Sequence, residues 1–290
     1  VKIIELNVFG APRSTYENLK FVMDGAGENG GERDASYTTC GIWPVASRIN
    51  HSCVTNCRRS FIGDMQVVRA CQDLEADTEL CFGYQPPLRH QNYEETQKKL
   101  KKWGFVCDCV LCLDKKSTPQ GTLERRRALN NMIKLVLKPG ASMAQLRQTI
   151  AILESLEKTY IPREGVSPVP VPRLELWDPY FALGAQLISK KQLADGLEML
   201  IRGLEALGFV IAACPPRLVT DEKDRKMTTL EIKHWGQATE FIAGAFLGTM
   251  PVYEVLAPEL RRVAKEYARV AYTICWGENG SIGTLDPQLV

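Results

Sequence analysis

Residues 41–57 read GIWPVASRINHSCVTNC, and the reading of this stretch decides the fold. Asn50, His51, Ser52, Cys53, Asn56 and Cys57 fall within eight residues, behind an apolar lead-in of Ile42, Trp43, Pro44, Val45 and Ile49. A solvated loop has no need for such a lead-in, and a buried strand has no use for Asn-His-Ser-Cys. The economical reading is a polar site carried into the interior, where buried polar groups must find partners. Further along, residues 107–112 read CDCVLC, with Cys107, Cys109 and Cys112 in a Cys-x-Cys-x-x-Cys array. That array is one ligand short of a tetrahedral metal site. Cys53 supplies the fourth if the fold joins the two stretches, with Cys57 as the alternative. Four thiolates close a structural Zn2+ site and leave no open position for catalysis. The other alternative is a set of free thiols with no metal.

The whole chain sets the bounds. At 290 residues it is long enough for two domains and a sizeable core. Lys and Arg number 36 against 34 Asp and Glu, so no large basic nucleic-acid surface is expected. No apolar run reaches the ~18 residues of a membrane span, and no membrane association is expected. Val1 is not a methionine and no signal peptide follows, so the chain reads as a piece of a longer protein, starting inside a domain. The ten cysteines include only one tightly spaced group. That favours a reduced intracellular protein with one zinc site, in the nucleus, the cytoplasm or both, over a secreted disulfide framework. Cys71, Cys81 and Cys275 read as small buried thiols.

Along the chain, residues 1–9 (VKIIELNVF) read as a strand. Residues 24–36 are glycine-rich and polar; they follow no strand and open no helix, so they read as a loop and not as a phosphate cradle. Residues 57–62, 65–70 and 79–82 read as short strands, the first two joined by a Gly63-Asp64 turn. Residues 91–102 read as a polar helix. From Thr122 the apolar spacing turns helical, first through Leu129, Met132, Ile133, Val136 and Leu137, then over residues 142–159. A proline-rich connector spans 161–173. Asp178-Pro179 reads as a cap and first-turn proline, Thr228 to Glu231 as a capping box opening a helix, and Pro258 as the start of the last helix. The helical pair at 179–208 looks like a tetratricopeptide-style hairpin, but no repeat of 34 residues is visible, so an ordinary all-α packing domain stands beside that reading.

RINHSCVTNC, then ELCFGY at 79–84, then CDCVLC resembles, in that order, the SET-domain protein lysine methyltransferases. The branch it resembles most is the SET-and-MYND (SMYD) type and its fungal tetratricopeptide relatives, over residues 1–113. The resemblance implies an α+β fold. The C-terminal part of a SET core occupies 1–102, a post-SET zinc segment 103–116, an all-α, tetratricopeptide-like domain 120–276 and a tail 277–290. It implies S-adenosylmethionine as cofactor, contacted by Asn50, His51, Ser47 and Asn7, with Phe105 packed on the adenine. Tyr84 falls at the methyl-transfer centre, Phe9 and Trp103 on the walls of the lysine channel, and Cys53, Cys107, Cys109 and Cys112 on the zinc.

Two departures stand out. Val54-Thr55 replaces the usual Asp-Pro, a turn-level change. Trp103 stands where close relatives carry a second tyrosine, which removes a hydroxyl from the channel. The family's glycine-rich cofactor segment is expected to precede Val1, and no MYND finger is present. The function implied is S-adenosylmethionine-dependent methylation of a lysine in a histone or other protein, with a further protein partner on the helical domain. The rival is a non-catalytic adaptor that keeps the zinc knot and the helices to bind partners.

Overall fold

CRRSFI and MQVVRA face each other as two short strands of one antiparallel pair. The computed structural model describes residues 7–12, 37–62, 65–85, 91–160, 171–213, 229–239 and 241–276. Within them Cys57–Ile62 (β4) pairs antiparallel with Met65–Ala70 (β5), Ile62 opposite Met65. Two smaller pairs complete this half. Phe9–Pro12 (β1) runs antiparallel to Tyr37–Gly41 (β2). Asn50–His51 (β3) lies parallel to Cys81–Phe82 (β6), with Asn50 beside Cys81 and His51 beside Phe82. This parallel pair brings the Asn-His step alongside the ELCFGY stretch, which the sequence alone does not specify.

Several expected elements differ. Asn7 is helical and the first described strand starts at Phe9, so the 1–9 strand is not supported where it can be seen. The strand expected at 79–82 shrinks to Cys81–Phe82. The polar helix is Tyr93–Leu100 (α1), opened by a reciprocal capping box between Asn92 and Glu95, and a short 3-10 turn continues it through Trp103. The glycine-rich loop 24–36, the Gly63-Asp64 turn, most of the 161–173 connector, Cys214 and the tail lie outside the described residues.

Val110–Ser117 (α2) grows directly out of the cysteine array. Gln120–Val136 (α3) and Met143–Glu157 (α4) follow, and Ser142 and Gln145 form a second capping box. Trp177–Ser189 (α5) and Leu193–Ala206 (α6) form a close pair. Asp178 sits inside the first turn of α5, with Leu176 at the cap, so the Asp-Pro cap reading is displaced by two residues. Gly184 and Gly196 let the two helices approach: a Cβ on Gly196 would lie 2.5 Å from Ile188 and 3.0 Å from the Gly184 carbonyl. The pair does not by itself establish a tetratricopeptide domain. Ile242–Leu256 (α7) and Pro258–Trp276 (α8) close the chain, the latter starting at its proline as expected.

The second half is not all-α. Val210–Ala213 (β7) pairs antiparallel with Leu230–His234 (β8) where a capping box and helix were expected. In LEIKH the buried Leu230 is followed by exposed Glu231, half-buried Ile232 and exposed Lys233. That period-two alternation outweighs the Thr-x-x-Glu signal. The Ile232 N–H donates to the Tyr267 hydroxyl of α8 at 3.2 Å.

Two cores result. The larger is built from α3 to α8 and also takes in Cys71 from beyond β5. The smaller gathers Cys53, Leu100, Cys107, Leu111, Cys112 and Leu174, so half its buried members are thiols. A core this small is a site where a metal adds folding energy.

Candidate functional site

The two residues of β3 turn to different tasks. Asn50 Nδ2 donates to Glu79 Oε1 at 2.6 Å. His51 Nδ1 accepts the Tyr84 backbone N–H at 3.0 Å. The ring proton of neutral His51 therefore sits on Nε2, which lies 3.3 Å from Cys53 Sγ. Asn56 holds the neighbouring strand: its Nδ2 donates to the Glu79 carbonyl at 2.8 Å and its Oδ1 accepts the Cys81 N–H at 2.8 Å. The interior placement expected of this stretch is only partly seen: Ile42, Pro44, Val45 and Asn50 are exposed, His51, Ser52 and Asn56 are half-buried, and Cys53 and Cys57 are buried.

Tyr84 is the hub of an aromatic group. Its ring centroid lies 5.3 Å from His51, 5.9 Å from Phe82, 5.2 Å from Trp103 and 6.1 Å from Phe105. His51 and Phe105 are 5.7 Å apart. The Tyr84 hydroxyl donates to the Ile49 carbonyl at 2.9 Å. Burial pushes its pKa up, with the neighbouring Cys81 adding to the shift and Arg59 opposing it. Phe9 joins through Phe82 at 6.0 Å. The Arg59 guanidinium lies over both rings, 5.2 Å from Phe9 and 4.8 Å from Phe82. Lys102 Nζ stands 4.0 Å from the Trp103 ring centroid.

Behind this group the thiols of Cys53, Cys107, Cys109 and Cys112 all lie within 4.8 Å of one another. Cys53 Sγ and Cys112 Sγ are 3.7 Å apart. Zn–S bonds of ~2.3 Å in a regular tetrahedron place the sulfurs about 3.8 Å apart, so the donor set fits zinc in kind and in scale. Hydrogen bonds among the thiols move their pKa values in opposite directions. Cys53 is pushed up, first by its hydrogen bond with Cys107, while Cys107 is pulled down, first by its bond with Cys109. Cys57, the alternative fourth ligand, is elsewhere: its Sγ donates to the Cys81 carbonyl at 3.2 Å, and burial pushes its pKa up to about 11.

The structure thus brings together His51, Tyr84, Trp103 and Phe105, and separately the four cysteines. Phe9 reaches the aromatic group only through Phe82. Ser47 turns back on its own loop, donating to the Trp43 carbonyl at 2.9 Å. Asn50 points to Glu79, and Asn7 is half-buried in a helical turn before β1.

Three supporting residues have roles that only the fold reveals. Gln97 of α1 clasps the Cys107 main chain at both ends, Nε2 donating to its carbonyl and Oε1 accepting its N–H, each at 2.9 Å. Gln237, between β8 and α7, donates to the Cys53 carbonyl at 3.1 Å and accepts from the Thr55 hydroxyl at 3.0 Å. Glu79 stands in the quoted ELCFGY motif, and only its partnership with Asn50 shows what it does.

Comparison with known proteins finds relatives of this chain. Residues 13–85 match the SET domain family model. A protein named methyltransferase from Gibberella zeae is 45% identical over 277 residues, 96% of this chain and 37% of that protein. The mouse histone-lysine N-methyltransferase SMYD3 is 38% identical over 87 residues, covering 27% of this chain and 20% of that protein. The human protein-lysine N-methyltransferase SMYD4 is 37% identical over 73 residues, covering 25% and 9%. The chain spans little more than a third of the Gibberella zeae relative and a fifth or less of the two SMYD proteins. No helix among the described residues is long and apolar enough to cross a membrane. The chain carries a SET domain related to that of the SMYD proteins.

Proposed function

We propose that this chain transfers a methyl group from S-adenosylmethionine to a lysine side chain of a histone or other protein, with Tyr84 at the reaction centre. The observation that carries the reading is the Tyr84 group itself: four rings within 5.2–6.1 Å of the Tyr84 ring, and a hydroxyl fixed on the Ile49 carbonyl. The cofactor, when bound, supplies an activated methyl on sulfonium. Phe105 would offer a half-buried face to its adenine. Asn50 and His51 would offer an amide and a ring edge to its polar parts, with Ser47 and Asn7 as further contacts.

The protein's work is to position and dry the amine. A lysine ammonium has a pKa of ~10.4 in water, and an aromatic enclosure with few charges disfavours its charged form. Phe9 and Trp103 wall that approach. Tyr84 stays protonated because burial raises its pKa. Its hydroxyl proton is spent on Ile49, so the oxygen retains acceptor capacity toward the amine N–H. The four thiolates would hold a structural Zn2+, which ties the loop bearing Trp103 and Phe105 to the segment bearing His51.

The test is calorimetry with S-adenosylmethionine, followed by single-turnover transfer to histones and a broad set of lysine-bearing proteins, with product masses read directly. One cofactor bound per chain and a mass gain of one methyl equivalent are expected. Binding without transfer to any substrate gives the adaptor reading instead.

A further inference from the structure

Residues 98–102 read KKLKK, four lysines in five positions of a chain whose net charge is only +2. In the last turn of α1, Lys98 and Lys99 meet the carbonyl end of the helix dipole favourably. That accounts for their presence and for nothing beyond it. Facing the same space, however, are Lys134 at the end of α3 and Lys138 just past it. With α5 these helices border a cleft of about 1410 Å3 that has the four lysines along its walls. Its apolar lining includes Ile133, Leu137 and Pro179.

Four like charges around one space repel one another, and the local carboxylates offset them only in part. Glu95 reaches the cleft, but it also accepts the Asn92 N–H at 2.9 Å and lies 3.5 Å from Arg127. Asp178 is the other carboxylate there. Among the described residues none of the four lysines is held in an ion pair. The wall therefore has a positive excess over an apolar base.

We propose that this cleft docks an acidic, partly apolar segment of a protein partner. The chemistry separates that occupant from the other polyanions. Among the described residues the lining has no aromatic ring on which a base can stack. Among the described residues it has no arginine to grip a phosphate through two parallel bonds; lysines act as mobile point charges, which suit carboxylates spaced along a peptide. A concave cleft also does not meet a flat bilayer. Half-buried Leu137 and exposed Pro139 and Ala182 give the segment's apolar side chains a place to bury, while its carboxylates lie along the lysine walls.

This site stands apart from the methyl-transfer reading, and its test uses none of that chemistry. The probe is a fluorescent decapeptide of alternating Glu and Leu, titrated with the full chain by anisotropy. Controls are the same peptide with Gln for Glu, a single-stranded RNA and vesicles of anionic lipid. The acidic peptide is expected to bind, and to weaken as salt is raised. The Lys134→Glu, Lys138→Glu double variant should lose roughly tenfold in affinity through like-charge repulsion. Its neutral counterpart, Lys134→Gln with Lys138→Gln, should fall between, and Lys233→Glu on β8 should change nothing. Folding of each variant is checked by far-UV circular dichroism, and the neutral pair keeps the test valid if charge reversal perturbs the fold. Undiminished binding by both double variants overturns the proposal. So does a Gln peptide, RNA or vesicle that binds as tightly as the acidic peptide, or no binding at all.

Discussion

The side-chain amide of Gln237 donates to the main-chain carbonyl of Cys53 at 3.1 Å, joining two residues 184 positions apart in sequence. The other end of the same amide accepts from Thr55. Its own N–H donates to the Leu207 carbonyl at 2.8 Å. Beside it Arg58 Nη1 donates to the Ala238 carbonyl at 2.6 Å. The connection between β8 and α7 is thus a strap from the helical half across the segment that supplies a thiol to the cluster.

Gln237→Leu removes both side-chain bonds and leaves a carbonyl and a hydroxyl without those partners. Each orphaned buried group costs about 1–3 kcal/mol. Gln237 is 8% exposed, so water does not readily replace it. Chemical denaturation should show that loss, and bound zinc should pass faster to a chelator. The same zinc release rate as the parent would mean the strap supports the fold without supporting the cluster.

One metal per chain is expected by elemental analysis of reduced protein, and Cys109→Ser should abolish it. Only three thiolates then remain to close the tetrahedron. Because Leu100, Leu111 and Leu174 share their core with the thiols, the loss should also loosen α1 and α2. Hydrogen exchange confined to those helices would show it. Reduced, freshly purified protein without zinc would remove the metal from the account.

How far the sequence carried this site follows from where its information lies. The four-cysteine group was legible because three ligands sit within six residues and only one had to be found elsewhere. The helices of the second half were legible through their apolar spacing, as in Leu197, Leu200, Ile201 and Leu204. Gln237 and Gln97 were not, because a glutamine has no local pattern: its role is fixed by which carbonyl the fold brings opposite. The strand at Leu230–His234 was misread for a different reason. Two local signals competed there, and the pairing with β7, which decides between them, is not local. The parallel contact of β3 with β6 is likewise a product of tertiary pairing.

Glu205 gives a pH dependence. Burial raises its pKa, against the opposing pull of Arg173 and Arg202. A carboxyl with a raised folded pKa binds more protons in the folded than in the unfolded state. Its penalty is absent below the unfolded pKa of ~4.3 and grows as pH rises through the folded value. Glu205→Gln should therefore raise the melting temperature at pH 7, and the gain should vanish below about pH 4. A constant gain across that range would assign the effect to packing or propensity.

The sharpest prediction concerns the reaction centre. Tyr84→Phe keeps the ring among His51, Phe82, Trp103 and Phe105 and deletes only the hydroxyl that reaches Ile49. If that oxygen orients the amine, its loss should cost about 10²–10³ in single-turnover rate, as for other preorganised groups at a reaction centre. Cofactor affinity should barely move, because the aromatic wall remains. If the hydroxyl serves only to fasten Ile49, the variant should lose about 1 kcal/mol of stability and little rate. Trp103→Tyr is the companion change. It puts a second hydroxyl near Tyr84, whose ring is 5.2 Å from the indole, and replaces a bulky bicycle by a smaller ring. A hydroxyl that can engage the amine restricts its rotation after the first transfer. The variant should therefore shift the number of methyl groups found on the product more than it shifts the rate of the first. Intact-mass analysis of the substrate over a time course separates the two effects. Parent-like rates in Tyr84→Phe, with cofactor bound, would move the reaction centre away from Tyr84.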